Sequence, residues 1–198
     1  KGMATHPFRG DVCLVPHAVS ADSAATALKW IRNLPANAWS PVNCRAKDNT
    51  RIKFSRHAFY GEAASWDKRV PPELLALGRE ATESARLKMP DAPWDTFEID
   101  TLVINRYQKG KGVAKHKDPP KWVPLVVGVT LYDDAYGPLS AMQFENGSQF
   151  DRLQLVTPHR SAYVFHGRAY TDATHARKPS AARQRGYLYS FTFRAHAP

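Results

Sequence analysis

The sequence predicts an α+β domain in which N-terminal helices pack on one sheet of a double-stranded β-helix, or jelly roll. Three observations predict it. The 198 residues, 43% of them hydrophobic, suit one domain spanning residues 1–198 with a single core. Apolar residues recur at helical spacing in the first half, whereas short β-branched or aromatic runs follow beyond residue 95. Helices first and many strands later is typical of helices segregated to one side of an antiparallel β-core.

The N-terminal half carries one strand pattern and two helix patterns. Residues 11–15 predict a short strand, and Ser20 is placed to cap a helix that ends at Pro35. The apolar positions of this helix are Ala24, Ala27, Leu28, Ile31 and Leu34. A second helix begins at Pro71-Pro72, because proline is tolerated in a first turn, and continues towards Met89-Pro90. Its apolar positions are Leu74, Leu77, Ala81 and Ala85.

The C-terminal half predicts six short strands separated by Gly, Pro, Asn and Asp. They cover residues 101–107, 125–132, 141–145, 153–157, 161–165 and 187–194. This division makes residues 1–95 an N-terminal extension and residues 96–198 a jelly-roll core.

The charge of the chain indicates a polyanionic partner. Lys and Arg outnumber Asp and Glu by 28 to 18, for a net charge of +10, and this balance favours binding to DNA or RNA. Basic residues cluster at 45–56, 109–121 and 177–178, and a solvated basic face is the alternative explanation. No apolar run approaches a membrane span, and the two cysteines form no disulfide framework. We therefore expect a soluble, intracellular monomer of the cytoplasm or nucleus.

The sharpest local motif is His116-Lys117-Asp118. Residues two apart on an extended segment project to the same side, so this histidine and aspartate can bind one metal ion together. Two histidines and one carboxylate form the facial triad that holds non-haem Fe(II), and the second histidine then comes from a distant strand. His166 and His175 are the downstream candidates.

The surrounding sequence resembles the AlkB-like 2-oxoglutarate/Fe(II) dioxygenases. Asn105-Arg106-Tyr107, Gly110 and the H-x-D triplet are similar to the N-x-Y…G…H-x-D motif of that family, and residues 161–168 followed by Thr174-His175 resemble its later strand, glycine turn and histidine. The resemblance implies Fe(II) bound by His116, Asp118 and His175, with 2-oxoglutarate and O2 as co-substrates.

The C-terminal strand also resembles that family. Ser190-Phe191-Thr192-Phe193-Arg194 is similar to its terminal strand, which implies that Arg194 holds the carboxylate of 2-oxoglutarate next to the iron, with Asn105 and Tyr107 assisting. The family usually has a second arginine six residues earlier, where this chain has Leu188. The nearest substitute is Arg185, with Arg183 as the fallback, and a bulge at Gly186 would bring Arg185 into register.

A further resemblance concerns the substrate. Arg56-His57-Ala58-Phe59-Tyr60-Gly61 is similar to the P-R-x-x-x-Y-G segment of the family's nucleotide-recognition lid, which implies that Arg56, Phe59, Tyr60 and Trp66 contact the substrate. An aromatic hairpin packed on the core is the alternative. Pro119-Pro120 replaces the acidic residues common in repair-type members.

The implied activity is oxidative demethylation or hydroxylation of a nucleobase in DNA or RNA, as in DNA repair or RNA modification, with release of succinate and CO2. The alternatives are a hydroxylase of a protein side chain or small molecule, and a catalytically impaired nucleic-acid-binding module.

Overall fold

The computed structural model describes residues 8, 10–45, 51–59, 69–108, 110–133, 140–146, 152–178 and 186–197. Within them, the strands in chain order are β1 Val12–Val15, β2 Ser40–Arg45, β3 Arg51–Phe59, β4 Thr101–Tyr107, β5 Val113–His116, β6 Leu125–Tyr132, β7 Ser140–Glu145, β8 Arg152–Thr157, β9 Ser161–His166, β10 Thr174–Lys178 and β11 Leu188–Arg194. The helices are α1 Ala21–Arg32, α2 Pro72–Arg86 and α3 Gly167–Thr171. Across these described residues, no helix is long and apolar enough to span a bilayer.

The strands form two antiparallel sheets that face each other. The larger sheet has the order β1-β9-β6-β11-β4-β3-β2, and the smaller sheet has the order β5-β10-β7-β8. Side chains alternate between the two faces of each strand, so each sheet directs one set of residues into the space between the sheets. This arrangement is a double-stranded β-helix, and the predicted fold class is confirmed.

The two long helices cover the outer face of the larger sheet, as predicted. The Ser20 hydroxyl caps α1 by accepting a hydrogen bond from the Ser23 backbone N–H at 3.1 Å, and Pro72 occupies the first turn of α2. The buried faces of both helices share one apolar core with β4, β6 and β11. Its fully buried members include Ala27, Leu74, Leu77, Ala81, Leu102, Ile104, Val127, Val129, Phe191 and Phe193.

The residues before position 96 also contribute three strands to the larger sheet. β1 pairs with β9 at one edge, and β3 pairs with β4 at the other, where it carries β2. The segment expected to form a substrate lid therefore begins as a sheet strand, with Arg56 opposite Asn105 and Phe59 opposite Leu102. Strands from before and after residue 96 therefore belong to one sheet. Residues before position 96 thus contribute to the β-core as well as to the helices that cover it.

A glycine in β6 makes room for an aromatic ring on the inner face of the larger sheet. A Cβ on Gly128 would overlap the ring of Tyr163, the residue opposite it on β9. The Tyr163 ring therefore lies across β6, and its hydroxyl is 3.0 Å from the Ser190 hydroxyl on β11. This contact fixes part of the wall between the two sheets.

Candidate metal centre and co-substrate pocket

Three ligand atoms converge at one end of the space between the sheets. β5 and β10 are antiparallel neighbours whose register places His116 directly opposite His175, and Asp118 lies two residues beyond His116. Potential ligand atoms of these three residues all lie within 4.8 Å of one another. Nε2 of His175 is 4.0 Å from Oδ1 of Asp118, and the two imidazole centroids are 4.3 Å apart. His166 lies outside this group, because it ends β9 and precedes α3.

The surroundings of both imidazoles are compatible with metal binding. Nδ1 of His116 lies 2.8 Å from the carbonyl oxygen of Ala114. Because a carbonyl oxygen only accepts, Nδ1 carries a proton, so Nε2 is the nitrogen of His116 with which a metal ion can be bound. Burial, together with the neighbouring His116, lowers the pKa of His175 to about 3 in spite of the nearby Asp118 carboxylate. His175 is therefore neutral at physiological pH.

The Asp118 carboxylate is ionised and held in place by an arginine. Burial alone would raise its pKa, but the Arg194 guanidinium and the two histidines outweigh that effect and hold the pKa of Asp118 below its ordinary value. Arg194 donates from Nη2 to Oδ1 at 2.6 Å and from Nε to Oδ2 at 3.3 Å. This two-point contact fixes the orientation of the carboxylate.

The residues present fit Fe(II). Two neutral imidazoles and one carboxylate are the donor set of the facial triad, which occupies one side of the ion and leaves other positions open. The donors also lie close enough for small side-chain adjustments to bring them onto one ion.

A cavity of about 300 Å³ extends from these three residues between the sheets. Its wall includes all three potential ligands and four further residues selected from the sequence, namely Arg56, Asn105, Tyr107 and Arg194. Nε of Arg56 donates to Oδ1 of Asn105 at 2.9 Å. Burial raises the pKa of Tyr107 well above its ordinary value, although the Arg177 and Arg56 guanidinium groups oppose the shift. Tyr107 therefore keeps its phenol proton.

The structure does not bring Phe59 to this cavity. Strand alternation places Arg56 and Phe59 on opposite faces of β3, and Phe59 packs in the core with its ring centroid 5.7 Å from that of Trp30. The expected lid contact of Phe59 is thus replaced by a core contact. Tyr60, Trp66, Arg183 and Arg185 lie outside the described residues.

The cavity wall also contains residues that the sequence analysis did not assign to the site. Trp122 lies beside Arg194, whose guanidinium carbon is 5.9 Å from the indole centroid. Arg177, previously grouped with surface basic residues, is buried in the wall. The signal for Arg177 was its spacing, because it follows His175 by two residues in a strand, as Asp118 follows His116.

Comparison with solved structures identifies the same fold in proteins described as 2OG-Fe(II) oxygenases. A Burkholderia pseudomallei oxidoreductase of the 2OG-Fe(II) oxygenase family has a TM-score of 0.65 at 15% identity, covering 94% of this chain and 86% of that chain. A Pseudomonas putida prolyl-4-hydroxylase has a TM-score of 0.58 at 15% identity, covering 94% and 93%. These likenesses show that the chain has the fold of these two proteins.

The AlkB-like protein OsALKBH1 also shares the fold. Its TM-score is 0.70 at 14% identity, and the match covers 94% of this chain and 98% of that chain. No protein-family model and no curated protein sequence matches this chain. At these identities the likeness establishes the fold, so the function must be argued from the site.

Proposed function

We propose that the chain is an Fe(II)- and 2-oxoglutarate-dependent dioxygenase. The observation that carries the proposal is the convergence of His116, Asp118 and His175 on one point at the wall of a cavity. When bound, Fe(II) with 2-oxoglutarate and O2 supplies the oxidising power to hydroxylate a substrate C–H bond, with succinate and CO2 as co-products.

The residues of this chain bind and orient the reactants. His116 presents Nε2 because Ala114 holds its other nitrogen, His175 remains neutral by burial, and Arg194 holds the Asp118 carboxylate. Asn105 and Tyr107 line the cavity and are assigned to the co-substrate, with Arg194 and, from sequence alone, Arg185. Tyr107 and His175 are buried in this wall, and the lower local dielectric there strengthens such polar interactions.

We further propose a nucleobase in DNA or RNA as the substrate. Three features support it: the structural likeness to OsALKBH1, the net charge of +10, and basic side chains beside the metal motif. Lys121 lines the cavity, and Lys117, which is exposed, lies in the sequence between the potential ligands His116 and Asp118. Phosphate groups favour such basic residues, so binding should weaken steeply with salt. A substrate of this kind would place the protein in the cytoplasm or nucleus.

The proposal is tested by incubating the protein with Fe(II), ascorbate, 2-oxoglutarate and methylated DNA or RNA oligonucleotides. We expect succinate, and formaldehyde when an N-methyl group is removed, with the demethylated base detected by mass spectrometry. Asp118→Asn should abolish succinate release, whereas Asp172→Asn, which alters an exposed carboxylate on α3's C-terminal side, should leave it unchanged.

Two outcomes would support the alternative functions. Succinate release stimulated by a proline-containing peptide, with an oxygen atom added to the peptide and no change in any oligonucleotide, would indicate a protein hydroxylase like the Pseudomonas putida neighbour. Absence of succinate, combined with equal salt-sensitive oligonucleotide binding by wild type and Asp118→Asn, would indicate a binding module.

A further inference from the structure

Arg177 is a cationic side chain buried in the cavity wall. It lies on β10, an internal strand of the smaller sheet, and its exposed fraction is 2%. Burying an ion is costly unless a counter-charge or a full set of hydrogen bonds compensates it. The partners of this guanidinium therefore indicate what it is there to bind.

Within the described ranges, the hydrogen-bond partners of Arg177 are neutral hydroxyl groups. Nη1 donates to Oγ1 of Thr157 at 3.0 Å and to Oγ of Ser140 at 3.4 Å. Nη2 donates to Oγ1 of Thr130 at 3.1 Å and to Oγ of Ser190 at 3.5 Å. Nε has no hydrogen-bond partner, and no carboxylate among the described residues contacts the guanidinium. The positive charge is therefore fixed in position but not neutralised.

The incompletely bonded edge of Arg177 suits a carboxylate. In a planar guanidinium, Nε–H and Nη2–H lie on one edge, and Arg194 uses that edge to hold Asp118. On Arg177 the same edge carries the unpartnered Nε and the long contact to Ser190, which itself lines the cavity. A carboxylate there would satisfy Nε and supply the missing negative charge.

The position of Arg177 matches the length of a dicarboxylic acid anchored at the metal centre. Two strand residues are separated by roughly 6.6 Å, the scale of a five-carbon diacid, and Arg177 lies two residues beyond His175. Both residues line the same cavity. Leu188, where the resemblance implied an arginine, is two residues from Ser190 on the same face of β11 and is buried with Tyr107 and Tyr132.

We propose that Arg177 binds the carboxylate of 2-oxoglutarate farther from the metal, so that a charge from the smaller sheet replaces the arginine missing at Leu188 in the larger sheet. The inference rests on the proposed function and deepens it, because Arg177 then determines the selection of a dicarboxylic over a monocarboxylic 2-oxo acid. Tyr107, a buried neutral phenol in the same wall, is the neighbouring donor.

The test compares two ligands that differ only at the proposed contact. Protein loaded with Mn(II), a redox-stable substitute for Fe(II), is titrated calorimetrically with 2-oxoglutarate and with 2-oxovalerate, which has a methyl group in place of the distal carboxylate. Wild type should favour 2-oxoglutarate roughly 10- to 100-fold, the range expected for a charge-assisted contact. Arg177→Met should reduce this ratio of affinities to about one, mainly by weakening the binding of 2-oxoglutarate.

Two further variants control for charge and location. Arg168→Met removes an arginine whose side chain is 61% exposed on α3, and it should keep the wild-type ratio. Arg177→Met combined with Leu188→Arg should recover part of the preference, because position 188 faces the same interior. Circular dichroism and thermal unfolding of each variant establish that it is folded.

The outcomes separate the inference from the proposed function. Failure of wild type to bind Mn(II) and 2-oxoglutarate would overturn both. Normal wild-type binding with an unchanged ratio in Arg177→Met would overturn the inference alone. So would loss of the ratio in Arg56→Met, or in Arg185→Met, which alters the candidate predicted from the sequence for the same carboxylate, with retention in Arg177→Met. If Arg177→Met does not fold, Arg177→Lys is the test variant, because it keeps the positive charge but loses the paired N–H donors of the guanidinium. This variant should bind 2-oxoglutarate at least roughly 5-fold more weakly than wild type and 2-oxovalerate equally well. Unchanged 2-oxoglutarate affinity in that variant would overturn the inference.

Discussion

Replacement of Arg194 by Met should destabilise the metal-free protein strongly. The Asp118 and Arg194 side chains are 5% and 10% exposed and share two charge-assisted hydrogen bonds, so the variant leaves a buried carboxylate without its cation. Breaking a buried ion pair on one side costs about 3–5 kcal/mol. At roughly 2–4 °C per kcal/mol for a chain of this size, the melting temperature should fall by about 6–20 °C.

The assay is urea denaturation at pH 7 in the presence of a chelator, combined with a double-mutant cycle. Asp118→Asn with Arg194→Met removes both charges, so the cost of the double variant should be well below the sum of the single costs. Mn(II) should stabilise Arg194→Met more than wild type, because the cation takes the place of the guanidinium beside Asp118. Additive costs, or a loss below about 1 kcal/mol in Arg194→Met, would refute the coupling between these two side chains.

Three smaller changes test the fold around the site. Gly128→Ala should lower the free energy of unfolding by about 1–3 kcal/mol, because its Cβ would overlap the Tyr163 ring. Adding Tyr163→Leu to this variant should recover part of the loss in urea titrations. An equal loss in the single and the double variant would contradict the packing. His159 accepts the Tyr132 backbone N–H at Nδ1, and burial holds its pKa below 6.5. As pH falls, His159 is protonated in the unfolded chain before it is protonated in the folded one, so the free energy of unfolding should decrease below about pH 6.5. In His159→Gln this decrease with falling pH should be shallower. An identical pH dependence in the two proteins would exclude His159 as the cause. Ser20→Ala should cost about 1 kcal/mol of unfolding free energy by removing the cap of α1, whereas Ser20→Thr, which keeps a capping hydroxyl and adds no charge beside Glu80, should retain it.

The regular elements were predictable because local patterns determine them. The cap at Ser20 and the prolines at residues 71–72 predicted α1 and α2, and the β-branched runs predicted β4 and β6 with the bounds that the structure has. The polar strand β3 was harder to recognise, because its Arg, Lys and Ser residues resemble a loop and its pairing with β4 is a long-range contact. Short β5 and β10 were missed for the same reason.

The metal centre was predictable in part from strand geometry. The two-residue period of a strand predicts that His116 and Asp118 share a site, and the resemblance adds His175. The structure places the three side chains in one group. Their role as ligands stays a prediction. Arg177 could not be identified from composition, because its burial depends on hydroxyl groups from four other strands, β6, β7, β8 and β11. The two-residue period of a strand does predict that Arg177 lies on the same face of the sheet as His175.

The two histidines of the candidate centre are supported unequally by the smaller sheet. Within the part of the chain that the structure describes, β5, which carries His116, is a four-residue edge strand with β10 as its one partner, whereas β10 is paired on both sides. Strand ends at an edge fray at low free-energy cost, so β5 amide hydrogens should exchange with solvent faster than those of β10. Local opening at β5 would move the His116 imidazole away from the site while the rest of the two sheets stays folded. This opening would provide a route for ion exchange without global unfolding.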